Sequence, residues 1–211
     1  NGDSIKDGKT SNNIQRYRCK HCQSRFQEQY RNQACLSIIN SEIVELIKSS
    51  CGIRDIARKL KISPTTVLRR IIFISKQIRR PPIILGRRYE VDEMMTFIGS
   101  KKRRICITYA IDRSSRGVVG FSVGRRNKTT LKMVVNSLLL SNPKQIRTDK
   151  FPIYPTLIPE EIHHVKRRGI NRIERMNLTL RTHLKRLNRR TIAFSRSQVI
   201  LSAILKIYFW S

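Results

Sequence analysis

The fold of this chain is most clearly indicated by residues Tyr89–Val123, YEVDEMMTFIGSKKRRICITYAIDRSSRGVVGFSV. Segments rich in β-branched and aromatic residues alternate here with two turn-rich segments, Gly99–Lys102 and Asp112–Gly117. Such segments, separated by short turns containing Gly, Ser and Asp, are typical of strands joined in antiparallel hairpins. We therefore predict three consecutive strands, at Tyr89–Ile98, Arg104–Ile111 and Val118–Val123.

The chain after these strands alternates between helical and strand patterns. We expect a helix at about Thr129–Leu140, a strand at Gln145–Thr148 and a fifth strand at Ile162–Val165. Further apolar residues recur at helical spacing, at Ile173, Leu180, Leu184 and Leu187. This is the order of elements in a ribonuclease-H-like domain. The predicted fold class is therefore α/β, with a mixed sheet and flanking helices.

Residues 40–75 show helical periodicity, with a break at Cys51-Gly52. Ser63 is suited to cap a third helix, because Pro64 follows it at the first helical position. Three short helices in this arrangement indicate a helix-turn-helix, although Lys61 occupies a turn position that often carries glycine. An ordinary small helical bundle is the alternative. In a helix-turn-helix, the residues facing DNA would be Ser63, Thr65, Thr66, Arg69 and Arg70.

The polar segment before these helices contains Cys19-x-x-Cys22. Two thiolates at this spacing form half of a tetrahedral zinc site and require further ligands to complete it. We therefore divide the chain into a partial zinc-ribbon-like segment (1–35), a helix-turn-helix domain (36–80), a linker (81–88) and the ribonuclease-H-like domain (89–211).

The overall charge points to a polyanionic partner. The 44 Lys and Arg outnumber the 14 Asp and Glu, giving a net charge of +30 that is spread along the chain. Nucleic acid is the expected ligand. A membrane partner is disfavoured, because the apolar stretch Val199–Trp210 is too short to span a bilayer and contains Lys206. Five scattered cysteines favour a reducing compartment, and we expect a cytoplasmic protein.

Acidic residues are scarce in the last quarter of the chain. Glu174 is the only acid between residues 162 and 211, against twelve Lys and Arg. An ion pair within its own helix would require a base three or four residues away. Those positions hold Ile170, Asn171, Asn177 and Leu178. A functional role and an ion pair with Arg172, Arg175 or a more distant base both remain open.

Two aspartates are further candidates for a site. Asp92 lies in a predicted strand, where aspartate is disfavoured, and Glu90 and Glu93 are its neighbours in sequence. Three crowded carboxylates require cations, either basic side chains or a metal. Asp149 follows a predicted strand, so turn formation is the alternative to a site role, and Asp112 is expected to be structural. Acids on the first strand, after the fourth strand and on a later helix can meet at one edge of such a sheet and bind Mg²⁺ or Mn²⁺.

Several segments resemble the transposases of the insertion-sequence-one family. They are Asn171–Arg181 (NRIERMNLTLR), Val91–Glu93 with Phe97–Gly99, Thr148-Asp149 with Tyr154, and Arg189–Ser197. The resemblance covers nearly the whole chain, because these proteins carry a zinc-ribbon and helix-turn-helix region ahead of a DDE catalytic domain. It implies that Asp92, Asp149 and Glu174 form a catalytic triad that binds Mg²⁺ or Mn²⁺.

The resemblance also implies an activity and its partners. We expect a DNA transposase that cuts element ends and joins the 3′-hydroxyls to target DNA, acting as a homo-oligomer on double-stranded DNA at the prokaryotic nucleoid. Arg181 lies two helical turns after Glu174 and is expected to hold a phosphate beside the metals. Further backbone contacts are expected from Arg172, Arg175 and Lys185. The alternatives are a non-catalytic helix-turn-helix regulator, a decayed inactive copy, or a structural RNA-binding protein.

Overall fold

The computed structural model describes residues 3–28, 30, 33–36, 38–165 and 171–211. The first part is a small antiparallel sheet of β1 (Ser4–Lys9), β2 (Gln15–Cys19) and β3 (Arg25–Phe26), in that order. No residue of the described range 3–28 is fully buried, so this sheet has no core of its own, as the polar sequence predicted.

Three helices follow, α1 (Ile39–Lys48), α2 (Ile53–Lys59) and α3 (Pro64–Gln77). The predicted cap of α3 is confirmed, because the Ser63 hydroxyl oxygen accepts a hydrogen bond of 3.1 Å from the Thr66 backbone N–H. Lys61, in the turn between α2 and α3, has a φ of 51°. This left-handed conformation explains why glycine is common at such a position.

A five-stranded mixed sheet forms the centre of the remaining chain, in the order β6-β5-β4-β7-β8. The strands β4 (Arg88–Ile98), β5 (Ser100–Asp112) and β6 (Val118–Gly124) are antiparallel, whereas β7 (Gln145–Thr148) and β8 (His163–Val165) run parallel to β4. This order, with α4 (Lys128–Leu139) between β6 and β7, confirms the predicted ribonuclease-H-like α/β fold.

Helices cover both faces of this sheet. Leu131 and Val135 of α4 pack against Val91 on one face. The opposite face is covered by α5 (Asn171–His183) and α6 (Gln198–Trp210), whose Ile173 and Leu205 pack against Tyr109. The helical pattern in the sequence continued to Leu187, but α5 ends at His183 and a short 3-10 turn follows; Leu184 and Leu187 are nevertheless buried.

Helix α6 belongs to two cores at once. Its Leu201 and Leu205 pack in the core of the large sheet, whereas Ala203, Ile204 and Ile207 complete the core of helices α1–α3. An apolar helix that is buried on two sides accounts for the stretch Val199–Trp210 without a membrane. No helix in the part of the chain that the structure describes is long and apolar enough to cross a bilayer.

Candidate active site

The site lies where β4 and β7 run side by side. These strands are parallel and pair from Arg88 with Gln145 to Glu90 with Arg147, so both lead toward the same edge of the sheet. Asp149 follows the last residue of β7, and Asp92 and Glu93 lie just beyond the paired part of β4. One carboxylate oxygen from each of these three acids lies within 4.8 Å of the others.

Asp92 faces helix α5. Its Oδ2 accepts a hydrogen bond of 2.8 Å from Asn177 Nδ2, and the Tyr109 hydroxyl donates a bond of 2.7 Å to Asn177 Oδ1. Burial raises the pKa of Asp92 above its usual value, and the charges of Asp149 and Glu174 raise it further. The bond from Asn177 opposes this shift, because it stabilises the carboxylate.

Glu93 enters the same cluster from the other side of β4. Its side chain is 1% exposed. The Tyr154 hydroxyl lies close enough to lower its pKa, but neither carboxylate oxygen accepts a hydrogen bond of ordinary geometry from the described residues. The nearest cation is the guanidinium of Arg126, 3.8 Å away, which also stacks on the ring of Phe151 at 3.6 Å. Burial and the charge of Asp149 raise the pKa of Glu93 to about 7. A buried carboxylate with so little compensation favours a further cation.

Asp149 both stabilises a turn and lies in the acidic cluster, the two alternatives that its sequence position offered. Its Oδ1 accepts a hydrogen bond of 2.9 Å from the Phe151 backbone N–H, which is the turn interaction expected of an aspartate after a strand. The same carboxylate takes part in the cluster with Asp92 and Glu93. Asp112, in contrast, forms only the predicted structural turn, accepting from the Ser114 N–H at 2.9 Å.

Glu174 lies exposed in the first turn of α5 and is not one of the three clustered acids. Two contacts hold this turn on the sheet. The Ile173 N–H donates to the buried Glu90 at 3.2 Å, and the Ile173 carbonyl lies 3.1 Å from the Tyr109 hydroxyl, sharing its one proton with the closer Asn177 Oδ1. Glu174 is close enough for its charge to raise the pKa of Asp92. Of the predicted triad, Asp92 and Asp149 therefore lie in the cluster, whereas Glu174 lies outside it on α5.

The clustered oxygens fit a divalent cation. Mg²⁺ binds oxygen ligands at about 2.0–2.1 Å, so ligands on opposite sides of one ion lie about 4 Å apart. One oxygen each of Asp92, Glu93 and Asp149 lies within 4.8 Å of the others, which is close to that spacing. No other group of three potential ligands this close occurs among the described residues.

The predicted DNA-contacting residues differ in their exposure to solvent and in whether their side chains form hydrogen bonds within the protein. Thr65, Arg69, Arg175 and Lys185 are exposed, as is Ser63, while Thr66 is half-buried. Three arginines instead donate to backbone carbonyls: Arg70 to Ala34 at 2.6 Å, Arg172 to Arg113, and Arg181 to Leu187 at 3.0 Å and Met95 at 3.3 Å.

The cysteine pair lies at the end of the small sheet. Cys19 ends β2, Gln23 adopts a φ of 58°, and the Gln23 N–H donates to the Cys19 carbonyl at 3.1 Å. A hydrogen bond from Ser24 lowers the pKa of the exposed Cys22 thiol. This tight turn presents both sulfurs, and zinc binding here stays a prediction.

Sequence reasoning did not assign site roles to Glu93, Asn177 or Arg126. Glu93 was noted only as part of an acidic strand, and strand alternation would have placed it on the face opposite Asp92. Asn177 was counted only as a residue that cannot form an ion pair with Glu174. Its spacing of three residues from Glu174 on one helix face was the available signal.

Comparisons with known proteins identify the family to which the chain belongs. Residues 86–210 match the family described as IS1 transposase. The insertion element IS1 protein InsB of Shigella flexneri is 37% identical over 108 residues, covering 51% of this chain and 82% of that protein. An IS1 InsB protein of Escherichia coli K12 is 36% identical over 108 residues, covering 51% of this chain and 65% of its own length.

Two solved structures show weak overall similarity. One is a simian T-cell lymphotropic virus intasome in complex with PP2A regulatory subunit B56 gamma, with a TM-score of 0.42, 15% identity and coverage of 77% of this chain and 66% of that chain. The other is the HTLV-2 integrase catalytic core domain in complex with magnesium, with a TM-score of 0.37 and 18% identity, covering 61% of this chain and 86% of that chain. The fold assignment therefore depends on the strand order, and the family match depends on residues 86–210. By that match, the chain belongs to the IS1 transposase family.

Proposed function

We propose that this protein is a metal-dependent DNA transposase that cuts the ends of its element and joins the resulting 3′-hydroxyls to target DNA. The observation that carries the proposal is the meeting of Asp92, Glu93 and Asp149 at one edge of a ribonuclease-H-like sheet, with Glu174 on α5 near enough for its charge to act on Asp92. Family membership supports the same activity.

Asp92, Asp149 and Glu174 are proposed as the catalytic triad, and Glu93 as an additional metal-binding carboxylate. Mg²⁺ or Mn²⁺, when bound, would activate the attacking oxygen and stabilise the leaving oxygen at phosphorus. Asn177 holds the Asp92 carboxylate through Oδ2. Arg126 offsets part of the acidic charge beside Glu93.

Neither the cleavage reaction nor the joining reaction requires a covalent intermediate with the protein. In the first, water attacks the phosphodiester at the element end, the bond to the 3′-oxygen breaks, and that oxygen leaves as a 3′-hydroxyl. In the second, this hydroxyl loses its proton and attacks a target phosphodiester, forming a new P–O bond while the bond from phosphorus to the target strand's 3′-oxygen breaks, and that oxygen takes up a proton and leaves as a 3′-hydroxyl. The number of phosphodiester bonds is conserved in the joining step, so no energy source is required.

The other parts of the chain are proposed to bind DNA. Helix α3 would lie in the major groove with Ser63, Thr65 and Arg69 toward the DNA, since all three are exposed at one end of the helix or along it. Two element ends must be brought together before joining, so a homo-oligomer on double-stranded DNA is proposed. Such an assembly would act at the nucleoid, and zinc at Cys19 and Cys22 would require further ligands.

Strand cleavage and joining on a duplex carrying the native DNA that flanks the gene test this proposal. Asp149→Asn and Glu174→Gln should each lose Mn²⁺-dependent cleavage by at least about 100-fold and keep duplex binding. Glu161→Gln, an exposed acid outside the cluster, is the matched control and should cleave normally. Cleavage at the wild-type rate by both Asp149→Asn and Glu174→Gln would refute the assignment of the catalytic triad. DNA binding without cleavage by any of the proteins would favour the non-catalytic regulator.

A further inference from the structure

A basic cavity lies next to the acidic cluster, at the edge of the sheet that β4 forms beyond β7. β7 pairs with β4 over Arg88–Glu90, and β4 continues to Ile98. A cavity of about 470 Å³ opens beside this extension, bounded by the β4–β5 hairpin and the chain that follows α5. Met95, which lines it, is three residues from Asp92, or about 10 Å along a strand.

The lining combines positive charge with apolar surface. Four cationic side chains contribute, namely Lys101, Arg104, Arg181 and Arg189, and no acid is among the described residues that line it. Met95, 41% exposed, and Phe97 supply apolar surface in the same cavity. A site for duplex phosphates alone needs cations on an open surface, whereas unpaired nucleotides also need apolar groups against which bases stack.

Hydrogen bonds to backbone carbonyls connect the walls of this cavity in two places. Arg181 bridges its walls, because it donates to the Met95 carbonyl on β4 and to the Leu187 carbonyl after α5. At the hairpin turn, Gly99 has a φ of 72° and its N–H donates to the Ser195 carbonyl at 2.9 Å. The hairpin is therefore fixed against the segment that follows α5.

We propose that this cavity binds an unpaired nucleotide of the DNA strand that passes through the acidic cluster. Its volume is within the range of about 300–1,000 Å³ found for small-ligand sites. Lys101, Arg104 and Arg189 contact the phosphates on either side, and Met95 and Phe97 contact the base. The inference rests on the proposed function, because it takes the cluster as the place where the strand is cut.

The hairpin offers a matched test, because its basic run Lys101–Arg104 has two members that line the cavity and two that do not. Lys102 and Arg103 are equally exposed and lie outside the lining. The double variants K101A/R104A and K102A/R103A therefore remove the same charge from the same hairpin. Binding is measured at fixed salt in EDTA, without cleavage, on a duplex with a four-thymidine single-stranded tail and on the same duplex with blunt ends.

Wild type and K102A/R103A should bind the tailed duplex about tenfold more tightly than the blunt one, and K101A/R104A should show less than a twofold preference. Replacing the tail bases with abasic sites, or Met95→Ala, should reduce the preference at least threefold. Equal losses in both double variants, or no preference in wild type, would overturn the proposal. Asp149→Asn should keep the tail preference.

The two proposals can fail separately. A wild-type protein that prefers the tail but never cleaves DNA would refute the transposase activity and leave the cavity assignment standing. A protein that cleaves DNA without preferring the tail would refute the cavity assignment and leave the transposase activity standing.

Discussion

The Asn177 side-chain amide donates a hydrogen bond of 2.8 Å to Asp92 Oδ2 and thereby connects helix α5 to strand β4 at the acidic cluster. Tyr109 fixes the other end of this amide by donating to its oxygen at 2.7 Å. The orientation of the amide is set by these two bonds, since the hydroxyl supplies the donor and the carboxylate the acceptor. Asn177 is therefore a positioning residue for Asp92.

Asn177→Ala should weaken Mn²⁺ binding and slow DNA cleavage by about 10- to 100-fold, the usual cost of removing a group that orients a metal ligand. Raising the Mn²⁺ concentration should restore part of the rate, because the defect is in metal affinity. The measurement is the cleavage rate as a function of Mn²⁺ concentration. Thr182→Ala, an exposed change on the same helix, is the control. An unchanged Mn²⁺ dependence in Asn177→Ala would remove the positioning role.

Glu93 predicts an unusual pH dependence of stability in metal-free protein. Its folded-state pKa of about 7 lies above the value of 4.5 expected for an unfolded chain, so the folded state holds the proton more tightly. The associated stability is fully present below pH 4.5 and is lost as the pH rises through 7. The full difference amounts to about 3 kcal/mol, because one pKa unit corresponds to about 1.4 kcal/mol.

Glu93→Gln keeps a neutral side chain at every pH and should therefore be more stable than wild type at pH 8 in EDTA, with little difference at pH 4.5. Urea unfolding at the two pH values measures this. Added Mn²⁺ should reverse the order at pH 8, because the wild-type carboxylate gains a cation and the amide does not. A Glu93→Gln variant less stable than wild type at pH 8 in EDTA would contradict the account.

Arg69 and Arg70, adjacent on α3, should respond differently to substitution. Arg69 is exposed, so Arg69→Ala should lower duplex affinity and reduce its salt dependence, with almost no change in thermal stability. Arg70 donates to the Ala34 carbonyl at 2.6 Å, so Arg70→Ala should cost about 1.5–3 kcal/mol of stability. Duplex binding titrations at several salt concentrations, together with urea unfolding, separate the two effects. If Arg69→Ala and Arg70→Ala lowered the free energy of unfolding equally, the hydrogen bond from Arg70 to Ala34 would not contribute to stability as predicted.

Helix α6 should make the helical region and the large sheet unfold together. Ile204 is fully buried in the core of α1–α3, while Leu201 and Leu205 of the same helix are buried in the core of the sheet. Ile204→Ala should cost about 2–5 kcal/mol and shift one cooperative transition. Val199→Ala, 64% exposed on the same helix, should change little. Two separate transitions in the wild type would show that α6 does not couple the two cores.

Local sequence patterns were sufficient to predict the sheet. Segments rich in β-branched and aromatic residues, with the turns after Ile98 and Ile111, specify β4, β5 and β6. Ser63 followed by Pro64 specifies the start of α3. These signals lie within a few residues of the structure they determine, so no tertiary information is needed.

Other features depend on contacts between distant segments. The apolar composition of α6 indicates burial on several sides, but it does not identify the two cores that bury it. Asn177 meets Asp92 across 85 positions of sequence, so its position on the face of Glu174 does not identify Asp92 as its partner. Glu93 joins the cluster although adjacent strand residues normally face opposite sides of a sheet.

The central claim is that Asp92 and Asp149 hold a divalent metal together. Anomalous diffraction from crystals soaked in Mn²⁺ tests it most directly, because the ion is located without reference to activity. We expect a peak about 2.0–2.6 Å from a carboxylate oxygen of Asp92 and one of Asp149, with Glu93 or Glu174 completing the site, and no such peak in Asp149→Asn. A wild-type crystal with saturating Mn²⁺ and no peak between these two aspartates would contradict it.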